Sequence, residues 1–173
     1  MKHLKYLFLL LLIGCSSTKV TYDYDNQINF KTYKTFNFFE DVGKGLSALD
    51  VKRVTSELAK ILEQKEMRFS ENPDILINIM VKESKVARRN TIGVGIGGGG
   101  NIGIGISGGI PIGSRKINQE LVVDFVERED NQLIWQGIAN SEHKESMKPK
   151  EKEVYYQNIL AKIFKAYPPK KKH

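Results

Sequence analysis

Residues 92–113 carry eleven of the chain's fifteen glycines and no charged side chain, and they split the patterned sequence in two. Ile92, Val94 and Ile96, then Ile102, Ile104 and Ile106, alternate with glycine, so apolar side chains fall on one face of an extended chain. Gly97 to Asn101 supply a turn between the two arms. The pattern predicts a β-hairpin with one aliphatic face and one bare face that another backbone can approach closely. A flexible low-complexity loop is the competing reading, because glycine loses more freedom on ordering than any other residue. An ordered ribbon of this kind is a template for edge pairing. Its functional readings are self-association, docking of an envelope protein through Gly93–Gly109, or membrane contact.

The same stretch matches G-x-G-x-x-G at Gly93, Gly95, Gly98 and again at Gly103, Gly105, Gly108. A dinucleotide site needs that loop to end a strand and open a helix, with an acidic residue about 20 positions on. Here Pro111 and a further strand follow instead, and no Gly-Lys-Ser/Thr is present to cradle a phosphate. Nucleotide binding is excluded on that ground, and no cofactor is expected.

The flanking segments are regular. Val20, Tyr22 and Tyr24 alternate with polar neighbours over 19–24, and Tyr33 to Phe38 places Phe36 and Phe38 on one face. Gly43-Lys44-Gly45 breaks that second strand. Ser47 and Asp50 form a capping box with Asp in place of Glu. Val51, Val54, Leu58, Ile61 and Leu62 then recur at helical spacing, predicting about four turns with one buried stripe. Ile75, Ile77, Ile79 and Val81 form a period-two row over 74–83. Leu121, Val123 and Phe125 face inward over 117–126, with Glu120 and Asp124 outward. Glu129 to Gln132 turn the chain into a strand over 133–140. Glu151 to Tyr167 read as a second amphipathic helix, with Tyr155 or Tyr156, then Ile159, Leu160, Ile163 and Phe164, as its stripe. Pro168-Pro169 stop it. The expected fold is α+β: a two-layer sandwich with a mainly antiparallel sheet of about five strands. The order is ββαβββα, and both helices cover one face.

Ahead of this lies a leader. Lys2 and Lys5 precede the apolar run Tyr6 to Ile13, and Leu12-Ile13-Gly14-Cys15 closes it with a small residue before the thiol. Basic, apolar, small is the order of a secretory signal. The run is too short to span a bilayer, which takes roughly 20 residues. Cysteine at the cut resembles a bacterial lipobox. By that resemblance residues 1–14 are removed and Cys15 is lipidated, giving several acyl chains and a stable anchor. The expected organisation is a signal at 1–14, a lipidated tether at 15–19, one domain over 20–167 and a basic tail at 168–173.

Cys15 is the only cysteine, so beyond it disulfides, a thiolate nucleophile and Cys-based metal sites are excluded. Outside the leader, His143 and His173 are the only histidines, too few for a His-rich metal cluster. The formal charge of +7 falls to +5 once Lys2 and Lys5 leave with the signal. Lys170, Lys171 and Lys172 hold part of that excess, either simply solvated or in contact with anionic headgroups. No basic–aromatic recognition motif appears, so no nucleic acid is expected as a partner.

Few residues suggest chemistry. Asp23 and Asp25 are close enough in sequence to pair as carboxylates, although turn-forming aspartate is by far the commoner role for such residues. His143 lies among Glu142, Lys144 and Glu145, a solvated setting with no nucleophile to activate. Trp135 beside Gly137 reads as a core aromatic or as a stacking platform for a ligand.

Four segments carry a resemblance. They are the lipobox ending at Cys15, Tyr22-Asp23-Tyr24 with Phe30-Lys-Thr-Tyr-Lys-Thr-Phe36, Asn72-Pro-Asp-Ile-Leu76, and Leu133-Ile-Trp-Gln-Gly-Ile-Ala139 with the late helix ending in Pro168-Pro169. In this order, with a glycine-rich insert before the fourth strand, they resemble the envelope lipoproteins known as a domain of unknown function, family 4136. Gln136 stands where the pattern leads one to expect a basic residue. The resemblance implies an α+β fold and a lipid anchor, and it supplies no activity, cofactor or catalytic residue. The expected protein is a non-catalytic lipoprotein, a binding or assembly module held by acyl chains on Cys15 at the outer membrane and facing the periplasm. Oligomerisation or membrane insertion through the glycine-rich hairpin, and a hydrolase using an acidic pair, are the alternatives.

Overall fold

The computed structural model describes residues 18–86, 91–92, 110–111 and 115–169. Strands β1 (Lys19–Tyr24) and β2 (Thr35–Phe38) precede helix α1 (Ala48–Gln64). Strands β3 (Arg68–Phe69) and β4 (Ile75–Lys85) follow, then the short pair β5 (Thr91–Ile92) and β6 (Ile110–Pro111). Strands β7 (Lys116–Glu127) and β8 (Gln132–Lys144) lead to helix α2 (Pro149–Ile163) and a 3-10 turn at Phe164–Ala166.

Local chemistry explains the helix ends. The Ser47 hydroxyl accepts the Asp50 amide at 3.2 Å and donates to the Asp50 carboxylate at 2.8 Å, so only the N-cap half of the expected capping box forms, the shorter aspartate taking the hydroxyl and not the Ser47 amide. Helix α2 starts at Pro149, ahead of the expected Glu151, because proline has no amide to leave unpaired in a first turn. The Glu151 carboxylate accepts the Lys148 amide at 2.6 Å. Tyr156, not Tyr155, joins the buried stripe with Ile159, Leu160 and Ile163.

One hydrophobic layer holds the molecule together. Ile77, Ile79 and Val81 stand opposite Phe125, Val123 and Leu121 across the β4–β7 ladder, and all six are buried. Val54, Leu58 and Leu62 of α1 and Ile159, Leu160 and Ile163 of α2 close over this face. Full burial of one such side chain contributes about 1.5–3 kcal/mol.

The sheet differs from the expected one. It has six strands in the order β1-β8-β7-β4-β2-β3, and it is mixed. The β4–β7–β8 meander is antiparallel, as expected, and β1 adds antiparallel to β8. Strand β2 instead runs parallel to β4, and β3 parallel to β2. The cause is the intervening α1, since a strand–helix–strand crossover brings the second strand back in the same direction. The loop after β2 continues along the edge of β4. Gly43 donates to the Ile79 carbonyl at 2.8 Å, and Val81 donates to the Lys44 carbonyl at 2.8 Å. Gly45 has φ +91°, and a Cβ there would lie 2.1 Å from the Val81 carbonyl oxygen, so only glycine fits this approach.

This topology gives the sandwich two distinct ends. Lys19 at the start of β1 faces Asn140, near Lys144 and Lys116, and residues 86–115 connect β4 to β7 at this same end. The other end holds the β7–β8 turn and Trp135. Tyr167 packs on Trp135 at 5.3 Å between ring centres, so the chain reaches Pro169 remote from Lys19. Cys15, the Gly93–Gly109 region and Lys170–Lys172 lie outside the described residues. At the margins of the glycine-rich stretch, β5 and β6 pair antiparallel through Thr91↔Pro111 and Ile92↔Ile110.

Candidate functional site

Strand alternation places Gln119 of β7 with Ser141 and His143 of β8 on the face turned toward α2, at the Lys19 end of the sheet. Tyr155 comes down on them from α2. Gln119 is buried, and its amide is fully used. Its Nε2 donates to Glu83 Oε1 at 2.8 Å and lies 3.5 Å from His143 Nε2, while its Oε1 accepts the Tyr155 hydroxyl at 3.2 Å. The Ser141 hydroxyl lies 2.7 Å from that of Tyr155.

His143 is sheltered, in contrast to the solvated setting expected from its charged neighbours in sequence. Its side chain is only 9% exposed, and the Tyr155 ring lies 4.9 Å away edge-on. Nδ1 lies 2.9 Å from the Lys144 carbonyl, which can only accept. The neutral ring therefore carries its proton on Nδ1 and offers the Nε2 lone pair to Gln119. Glu83 Oε1 stands 3.7 Å from Nε2, ready to pair with a protonated ring. Burial pushes the Tyr155 phenol up to about 12, so it stays a hydroxyl donor at neutral pH. At the same end of the sheet a groove of about 900 Å³ is bordered by Lys19, Lys82, Asn118, Glu142 and Lys144, which alternation places on the face opposite this cluster.

A second polar site lies on the opposite face of the sheet. Asp124 of β7 faces Gln136 of β8 and Asn78 of β4, and Gln136 Nε2 donates to its carboxylate at 2.7 Å. Leu76, Met80, Val122 and Ile138 share this face by alternation, and neither described helix covers it. Burial pushes the Asp124 carboxyl above its ordinary value, and the Gln136 bond only partly offsets this. A raised folded-state pKa means that ionised Asp124 opposes folding at neutral pH, a penalty relieved as pH falls through that pKa. Asp124→Asn is therefore expected to raise the urea midpoint at about pH 7, with the gain shrinking toward about pH 4. A midpoint that falls at neutral pH contradicts this.

The residues singled out from the sequence are not brought together. Asp23 accepts the Tyr24 amide at 2.9 Å, and Asp25 accepts the Gln27 amide at 2.8 Å, each serving its own backbone. Asp23 stands opposite Gln136, and Asp25 reaches toward Gln132 at 3.5 Å, so they form no carboxylate pair. Trp135 lies in the core, 1% exposed, with no face offered to a ligand. Glu83, Gln119 and Ser141 have no mark in the sequence pattern, and Tyr155 enters it only as a possible stripe residue of α2. For Gln119 and Ser141 the signal is the in-phase extension of β7 and β8 beyond their apolar stretches. Among the described residues no three His, Cys, Asp or Glu side chains converge as metal ligands do. The Ser141 hydroxyl engages Tyr155 instead of His143. What the cluster offers is a set of fixed donors and acceptors.

Residues 20–169 match the family described as a domain of unknown function, DUF4136. No curated protein matches the chain. Among solved structures, a PDZ domain protein from Parabacteroides distasonis is similar at 14% identity and a TM-score of 0.56. That match covers 99% of this chain and 41% of the other, so this chain spans well under half of that protein's length. A PelC dodecamer from Paraburkholderia phytofirmans is similar at 10% identity and a TM-score of 0.51, covering 86% of this chain and 95% of that one. At such identities these likenesses establish the fold alone.

Proposed function

This chain belongs to the DUF4136 family, and we propose that it is a lipid-anchored, non-catalytic assembly module of the bacterial cell envelope, held at the outer membrane with its domain facing the periplasm. The observation that carries this reading is the position of β1. The strand is hydrogen-bonded to β8 from Lys19 onward, so the folded body begins four residues after Cys15. Four extended residues reach about 14 Å. A body held that close works at a membrane surface.

Mass spectrometry of the purified protein and fractionation of cells test the reading together. The wild-type chain is expected to start at Cys15, carry acyl mass and partition with membranes. Cys15→Ala is expected to lose the added mass and leave the membrane-anchored fraction. An unmodified thiol on wild-type protein overturns the proposal.

Self-association is the second reading. The comparable PelC is a dodecamer, and the sheet here ends in two open edges, β1 and β3, with Tyr22 and Phe69 about half exposed. A detergent-solubilised protein that sizes as a monomer, with or without residues 92–113, removes it.

A further inference from the structure

Exposed basic side chains gather where the tether leaves the body. Lys19, Lys82, Lys85, Arg115, Lys116 and Lys144 all lie at one end of the sheet, on four adjacent strands or just beside them, and all are exposed. Lys148 and Lys150 add to them where α2 begins. Glu83, Glu120, Glu142, Glu145 and Glu151 are the acids interspersed there, leaving a net positive end among the described residues. Three of the acids make only loose exposed pairs, Lys82–Glu120 at 3.6 Å, Lys116–Glu142 at 3.2 Å and Arg115–Glu145 at 3.9 Å. Such pairs exchange readily for another anion. In sequence, Ser84 to Gln119 contains five basic residues and no acidic one.

The far end carries no such excess of positive charge: Glu127, Glu129, Asp130, Asp74 and Asp25 gather near the β7–β8 turn, against Lys31, Lys34, Lys65, Arg68 and Arg128. The twelve residues of β7 separate the ends by about 40 Å, several Debye lengths at physiological salt. The positive field of the Lys19 end is therefore felt separately from the nearly balanced far end.

We propose that this basic end of the sheet is a docking surface for anionic lipid headgroups, and that it seats the domain upright with strands along the membrane normal. The inference rests on the lipid-anchor reading, because the short tether from Cys15 enters β1 at this end and delivers it to the bilayer. It also assigns the headgroup contact to the sheet and not to the lysines after Pro169, since the chain reaches Pro169 at the far end.

The test uses the full anchored protein, its single cysteine blocked by acylation, with a fluorophore on Ser84→Cys or on Asp130→Cys. It is reconstituted into phosphatidylcholine vesicles with or without phosphatidylglycerol, each holding a headgroup-linked quencher. Stronger quenching at position 84 than at 130 in the anionic vesicles, lost in high salt, is the expected result. Lys82→Gln/Lys116→Gln/Lys144→Gln is expected to remove the contrast, and the Glu versions to reverse it. Equal quenching at both positions, or a contrast indifferent to lipid charge and to these variants, overturns the surface. Cosedimentation with neutral vesicles reads the anchor separately. If that fails, salt-sensitive binding to phosphatidylglycerol vesicles, weakened about tenfold or more by the triple variant, still decides the basic end.

Discussion

Trp135→Ala is expected to lower stability by about 3–5 kcal/mol, a large share of the 5–15 kcal/mol typical of a domain. The ring is 1% exposed and touches three others, with centroids 5.0 Å from Phe125, 5.3 Å from Phe164 and 5.3 Å from Tyr167. These rings come from β7, β8 and the C-terminal end of α2, so one side chain joins sheet to helix layer. Gly137 makes room for it. A Cβ at that position would lie 2.5 Å from Trp135 Cη2 and 2.6 Å from Ile163 Cγ2. Because the neighbours already interlock, they cannot collapse into the space an alanine leaves. Urea unfolding followed by far-UV circular dichroism measures the loss. A shift below about 1 kcal/mol would mean that the aromatic cluster relaxes freely, contrary to this packing.

Periodicity reveals which face a residue takes and conceals which strand lies next to it. The row Ile75, Ile77, Ile79, Val81 was legible and faces the core, and of the stripe Val51, Val54, Leu58, Ile61, Leu62 the residues Val54, Leu58 and Leu62 are buried while Val51 and Ile61, at its flanks, are only half-buried. The partners were not. Alternation at Phe36 and Phe38 is the same whether β2 pairs with β1 or with β4, and only the α1 crossover sets the parallel neighbour. Strand β3, two residues long, has no period to detect. The polar cluster was hidden for a related reason. Glu142, Lys144 and Glu145 make the end of β8 look solvated, yet His143 is in phase with Trp135, Ala139 and Ser141. Carrying the strand on to Lys144 puts His143 beneath α2. Asp124 was expected to point outward and does, but Gln136 and Asn78 shelter it on that face.

Asp50→Ala is expected to cost about 2–3 kcal/mol at neutral pH, and that cost should fade in acid. Asp50 is buried at the start of α1, where one oxygen accepts Arg53 Nη1 at 2.8 Å and the other accepts Lys152 Nζ at 2.6 Å. Lys152 belongs to α2, so this carboxylate pins the two helices together. Burial alone would raise its pKa. The bonds from Lys152, Ser47 and Arg53 outweigh that effect and hold the carboxyl below its ordinary value. A depressed folded-state pKa gives stability that is fully present above the unfolded value, about 4, and lost as pH falls through the folded one. The wild-type and Asp50→Ala midpoints in urea should thus stay a constant distance apart from about pH 5 to 8 and converge as the pH falls through the depressed folded-state value. The loss stays short of that for a deeply buried pair because Lys152 and Arg53 side chains, 31% and 18% exposed, can turn toward water once abandoned. Lys152→Met separates the two contributions. It should remove the inter-helix bond while Arg53 and Ser47 still hold the carboxylate, giving a smaller loss with the same pH dependence. A gap between wild type and Asp50→Ala that persists unchanged in acid would assign the effect to packing and not to charge.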